Sequence, residues 1–275
     1  MILAAALLAL TQPVSAHQSV RPELVEGLPF LTAAKGQDSA STSPARTELN
    51  SAAGRILRLP DEAIAYVPAG ASAHPPLLVL LHGAGRGSGW MIRNFQKEAD
   101  KRGIVLLAPT SRGPTWDAIP TAMRAANPQS ALDEKLGHRF SRSRDSDRVE
   151  AAIEALAKQV PVDRSRTVLA GFSDGATFAL AMGLSRRRAF AAVIAWSPGI
   201  AIESASPLRG RRVFVSHGRA DPTLRFEVTS GEIVPLLENE GAEVTFVPFD
   251  GVHEVPPAAK DAFLDAAFGG ARQHD

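Results

Sequence analysis

The chain of 275 residues has no cysteine. That excludes disulfide bonds, a thiol nucleophile, cysteine-ligated metals and a lipidated cysteine anchor, while leaving the redox compartment open. Neither sign of charge dominates. Lys and Arg number 30 against 29 Asp and Glu, a formal net charge of +1. Nothing in the electrostatics therefore calls for a nucleic-acid partner. Aromatic residues are sparse, at 6% with a single tyrosine, and no internal repeat is visible, which removes solenoid and propeller architectures. Long apolar runs are missing as well. The run Ile2–Leu10 falls well short of the ~20 residues a bilayer crossing needs. Arg186, Arg187 and Arg188 follow an apolar helical pattern and read as a solvated helix end.

What is present begins with the N-terminus. "MILAAALLALTQPVSA" has the length of a secretory signal, with small residues Val14-Ser15-Ala16 before a cleavage point. It carries no Lys or Arg. The expectation is a signal peptide over 1–16 and a secreted or periplasmic protein. The alternative is a short apolar tail on a cytoplasmic one. Residues 17–53 lose all periodicity and accumulate Ser, Thr, Pro, Gln and Ala; they read as a linker or disordered arm.

From Gly54 onward apolar runs alternate with helical patterns. "ILRLP" and "AIAYVP" predict a pair of short strands. "PPLLVLL", "IVLLAP", "TVLAGFS", "AAVIAWSP", "RRVFVSHG" and "EVTFVPF" predict further strands. "WMIRNFQKEADKRG", "DRVEAAIEALAKQV", "GATFALAMGL", the stretch around "EIVPLLENEG" and "PAAKDAFLDAAF" predict helices. This alternation implies an α/β fold over 54–270, with a mostly parallel central sheet and helices on both faces. The stretch between Ser111 and Asp145, with Pro114, Pro120 and Pro128, interrupts the pattern and reads as a functional flap.

In an open parallel sheet, ligands gather at the carboxyl ends of strands. Four apolar runs end in residues that carry chemistry: Ser173, the loop His82-Gly83-Ala84-Gly85, Asp221 and His253. Gly171-Phe-Ser173-Asp-Gly175 has the pattern of a strand-to-helix turn that presents a serine, with small neighbours where bulk would clash. A neutral serine needs a base, and the base needs an acid to orient it. Three histidines follow Ser173: His217, His253 and His274. His274 is one residue from the end and His217 precedes the acid, which leaves His253 as the base. Asp221, on a separate strand end, supports it better than Asp250 on the same loop. The oxyanion needs two main-chain donors. Asp174 supplies one, and Ala84, with Gly85 as alternative, the other. His82 is expected to bond within its loop, and the Asp174 side chain only to cap the next helix. Trp116 and Trp196 follow neighbouring strands and either line an acyl pocket or pack in the core.

Together "LLVLLHGAG", "APTSRGPTWD", "LAGFSDGATFAL", "VIAWSPG", "SHGRADPT" and "DGVHEVP" resemble the α/β-hydrolase superfamily over roughly 56–268. Within it they are similar to the small, lid-poor serine esterases of the phospholipase/carboxylesterase type. The resemblance implies hydrolysis of carboxylic esters, or thioesters, with a minimal lid, no cofactor and no metal. It departs in the charged stretch "AANPQSALDEKLGHRFSRSRDSDRVE" and in the Ser-rich arm. The reading is a serine hydrolase acting on a small-molecule ester, with Ser173 as nucleophile, His253 as base and Asp221 holding it. No nucleic acid and no stable membrane anchor are expected. Rival readings are a polyester depolymerase or phenolic-acid esterase, a peptidase, or a non-catalytic binding fold.

Overall fold

A strand buried on both faces needs apolar residues at every position, and β3 (Pro76–Leu81) is apolar and buried at all six. The computed structural model describes residues 54–85, 87–117, 143–185, 190–200 and 207–269, all within one unit, Leu49–Asp275. There β3 stands near the middle of an eight-stranded sheet of order β1-β2-β4-β3-β5-β6-β7-β8. The other strands are β1 (Arg55–Arg58), β2 (Ile64–Val67), β4 (Val105–Ala108) and β5 (Asp163–Phe172). β6 (Ala192–Trp196), β7 (Arg212–Gly218) and β8 (Glu243–Phe249) complete it. β1 and β2 are antiparallel, β2 runs antiparallel to β4, and every later pairing is parallel. This is the α/β-hydrolase arrangement that the sequence motifs imply.

The two-residue period sorts each strand between two cores. Leu77, Val79 and Leu81 pack into one cluster, Leu78 and Leu80 into the other. On the first face lie α2 (Arg144–Ala157), α3 (Asp174–Ser185) and α4 (Val234–Asn239), through Val149, Phe178 and Leu237. On the second lie α1 (Ser88–Arg102) and α5 (Pro257–Gly269), through Phe95 and Phe263. Two further helical pieces, Phe226–Val228 and a π-helical turn Thr229–Ile233, lead into α4. Removing one of the buried leucines of β3 would cost about 2–5 kcal/mol.

Local signals set the helix ends. Ser143 and Ser146 form a reciprocal capping box at the start of α2. Gly103, with φ 64°, closes α1. α3 is apolar all round and buried from Gly175 to Leu184, as a helix in the middle of a layer must be. The expected signal peptide 1–16, the arm 17–53, Arg186–Arg188, His274 and positions 118–142 of the flap stretch lie outside the described residues.

Candidate active site

The turn from β5 into α3 carries Ser173. Its backbone has φ 57°, a left-handed conformation that costs a non-glycine residue on the order of 1–3 kcal/mol. The surroundings hold it there. The Ser173 amide donates to the Trp196 carbonyl at 2.9 Å, and its own carbonyl accepts from Ala176 and Thr177 at 2.9 and 3.1 Å. A Cβ on Gly171 would run into the Gly175 carbonyl, and one on Gly175 into the carbonyls of Leu81 and His82. Both glycines are therefore steric requirements of the turn.

The acid and the imidazole come from β7 and β8. Asp221 Oδ1 accepts from the amides of Thr223 and Leu224 at 2.8 and 2.9 Å. Asp221 Oδ2 lies 2.6 Å from His253 Nδ1. A carboxylate only accepts, so Nδ1 carries the proton and Nε2 is left free to act as a base. Burial pushes the Asp221 carboxyl up, but the Leu224 amide, His253 and the Thr223 amide outweigh it and hold the group below the usual carboxylate range. The two loops are stitched together: Arg219 donates to the Phe249 carbonyl at 2.9 Å and Ala220 to that of Gly251 at 3.0 Å. The His253 ring lies 4.8 Å from that of Phe172, the residue preceding the serine. Among the described residues no hydrogen bond joins Ser173 to His253, a contact that in such sites often tightens only with substrate bound.

The loop after β3 lies against the serine: a Cβ on Gly83 would sit 3.2 Å from that of Ser173. This loop is braced by the stretch 111–117. Trp116 Nε1 donates to the His82 carbonyl at 2.8 Å, and the Ser111 amide donates to His82 Nε2 at 3.1 Å. With Nε2 accepting, His82 Nδ1 carries the proton and donates to the Gly83 carbonyl at 2.7 Å. The Gly85 amide donates to the Pro114 carbonyl at 2.7 Å, so of the two amides considered in this loop it is already engaged. Neither Ala84 nor Asp174 has a main-chain acceptor for its amide among the described residues. The brace is itself anchored by buried Asp145, which accepts from the amides of Arg112 and Asp117 at 2.9 and 2.8 Å.

One side chain departs from the sequence expectations, and two others take one of the two options left open for them. Asp174 accepts from Thr115 Oγ1 at 2.5 Å, so its carboxylate binds the flap stretch rather than merely capping α3. Trp116 and Trp196 are both fully buried and line neither the cavity at His253 nor the one beside the His82–Gly85 loop. Trp116 stacks between His82 and Phe178, and Trp196 packs on Phe95; the acyl-pocket option gives way to the core one. Gly85, by contrast, does line a cavity. That space, about 180 Å³, is bounded by His82–Gly85, Trp90 and Phe172. A neighbouring one of about 260 Å³ is lined by Trp90, Phe95, Phe172 and His253. Trp90 and Phe172 belong to both, with ring centroids 5.9 Å apart. Sequence reasoning missed Trp90, although a tryptophan just beyond "HGAGRGSG" follows a site-forming strand end. Among the described residues no group of His, Asp and Glu is placed to hold a metal, and no helix is long and apolar enough to cross a membrane.

The sequence profile of the Phospholipase/Carboxylesterase family matches residues 62–259. None of the curated proteins matches the chain. Among solved structures, the carboxylesterase of Bacillus cereus superposes with a TM-score of 0.54 at 21% identity, covering 75% of this chain and 94% of that one. A phospholipase/carboxylesterase from Dyadobacter fermentans gives 0.52 at 19%, covering 77% and 98%. An acetyl xylan esterase from Aspergillus awamori gives 0.52 at 17%, covering 79% and 99%. At these identities the likeness is one of fold.

Proposed function

The chain belongs to the phospholipase/carboxylesterase family, and from that premise we propose that it hydrolyses carboxylic esters through Ser173, His253 and Asp221. The observation that carries the reading is the strained Ser173 at the end of β5, beside strand ends that bring Asp221 within 2.6 Å of His253. Ser173 Oγ attacks the ester carbonyl while His253 Nε2 takes its proton. The amides of Ala84 and Asp174 stabilise the tetrahedral oxyanion, helped by the positive end of α3. His253 then protonates the leaving alcohol, and an acyl-enzyme remains on Ser173. Water, activated by the same imidazole, releases the acid.

A fluorophosphonate probe on the wild type and on Ser173→Ala, with nitrophenyl esters from acetate to palmitate, tests this. Labelling of the wild type alone, with hydrolysis lost by about 10⁴-fold or more in the variant, supports the assignment. Equal labelling, or turnover that survives the substitution, would overturn it. Esters with bulky aryl groups, as in phenolic-acid or polyester substrates, are a second reading. It draws support from the open aromatic rim of Trp90 and Phe172.

A further inference from the structure

We propose that Thr115 is a positioning residue for this site: its hydroxyl, bonded to the Asp174 carboxylate, joins the two arms of the oxyanion hole and sets the spacing of their amides. The inference rests on the ester-hydrolase reading above, which assigns those amides to Ala84 and Asp174.

The arms leave different strand ends. One is the His82–Gly85 loop after β3, the other the first turn of α3 after β5. The β3–β5 ladder ends at the pair Leu81 and Gly171, so beyond it sheet hydrogen bonds no longer fix the distance between the chains. Three consecutive residues of the flap stretch bridge the gap. Pro114 accepts from the Gly85 amide at 2.7 Å, and Trp116 Nε1 donates to the His82 carbonyl at 2.8 Å. Between them, Thr115 Oγ1 donates to Asp174 Oδ2 at 2.5 Å. A carboxylate only accepts, so the direction of this bond is fixed, and a hydroxyl on an ionised oxygen is a strong, short contact. The residues flanking Thr115 thus hold one arm while Thr115 holds the other.

The α3 arm is the fixed reference. Its helix is buried from Gly175 to Leu184, and the Ser173 carbonyl is tied to the amides of Ala176 and Thr177. The far side of the flap stretch is held by Asp145 of α2. Thr115 hooks the stretch onto α3, and Ala84, between the two residues gripped by Pro114 and Trp116, takes its place accordingly. An oxyanion must be met by both donors at about 2.7–3.1 Å, and a misplacement of ~1 Å can cost about a hundredfold in rate. Thr115 and Asp174 are both half-buried, so water can solvate the groups when the bond is removed. The loss should therefore fall on geometry more than on folding.

The test compares kcat, KM and melting temperature for the wild type, Thr115→Val, Thr115→Ser, Asp174→Ala, the Thr115→Val/Asp174→Ala double variant and Ser173→Ala. Valine keeps the shape of threonine and removes the donor. Thr115→Val should lower kcat about tenfold with KM nearly unchanged. Affinity for a trifluoromethyl ketone, which places a tetrahedral oxyanion on the serine, should weaken in proportion. Serine restores the hydroxyl, so Thr115→Ser should recover most of both. If the two side chains act through one bond, adding Thr115→Val to Asp174→Ala should cost nothing further in kcat. A folded Thr115→Val with wild-type kcat overturns the proposal, as does a change in KM alone. Equal losses in the valine and serine variants, or losses that multiply in the double variant, overturn it too. If Thr115→Val does not fold, Thr115→Ala against Thr115→Ser carries the same comparison. Failure of the ester-hydrolase reading looks different: Ser173→Ala would still turn over.

Discussion

Two regions meet the same cleft in contrasting ways. Behind the serine, the His82–Gly85 loop is tied down by Trp116, Ser111 and Pro114, and the stretch that ties it is anchored by Asp145. In front, the rim is apolar and open: Trp90 is 40% exposed and Val252 50%. Apart from the Ala84 amide, the first region has its hydrogen-bonding groups tied to internal partners, so a change there disturbs the geometry of the cleft. The second is free to meet whatever the substrate presents. The contrast implies that substitutions behind the serine act on stability and kcat, and those at the rim on KM.

The largest effect should come from the elbow. Gly175→Ala places a methyl against the carbonyls of Leu81 and His82, both backbone atoms that cannot swing aside. A loss of more than about 3 kcal/mol, or no soluble protein, is expected by chemical denaturation. A stable and active Gly175→Ala would mean that the turn is far looser than it looks. Trp116→Phe keeps most of the packing but strips the donor from the His82 carbonyl, a buried loss of about 1–3 kcal/mol. Its melting temperature and its kcat should fall together, with KM the less affected.

Acid titration probes the corner between these regions. The folded Asp221 carboxyl titrates below its unfolded value of about 3.9. Its contribution to stability is therefore complete above that pH and lost as pH falls through the folded value. Asp221→Asn should flatten this part of the acid-unfolding curve; an unchanged curve would mean that other carboxylates govern it. The smallest effect on stability belongs to the rim. Trp90→Ala should stay within about 0.5 kcal/mol of the wild type while raising KM several-fold for aryl esters, and a fall in kcat alone would contradict the division of labour.

Much of the fold was legible because its signals are local. Unbroken apolar runs such as "PLLVLL" have no way to sit except as strands covered on both faces, and the glycines that end them mark the edge where side chains converge. Ser173, Asp221 and His253 stood out for the same reason. What escaped depended on directions that only tertiary packing sets. Whether Ala84 or Gly85 keeps a free amide turns on the Pro114 carbonyl, which approaches from another loop. Trp116 and Trp196 could be divided between pocket and core only once the sheet faces were known. Trp90 was absorbed into the amphipathic pattern of α1, where one exposed aromatic at the first turn breaks no rule. Thr115 was passed over within "GPTWD", since nothing linear shows that its hydroxyl reaches the residue after Ser173.

The hydrogen bond from Gly85 to Pro114 concerns timing. A loop that had to find its shape around each arriving ester would lose conformational entropy at every encounter, and the barrier would rise accordingly. With the Gly85 amide already bonded to Pro114, that ordering is expected to happen once, as the chain folds, and not at each encounter. Kinetically, the enzyme should behave as a lock already cut: no slow closing phase should precede the first turnover, and rates should scale with substrate chemistry rather than with solvent viscosity.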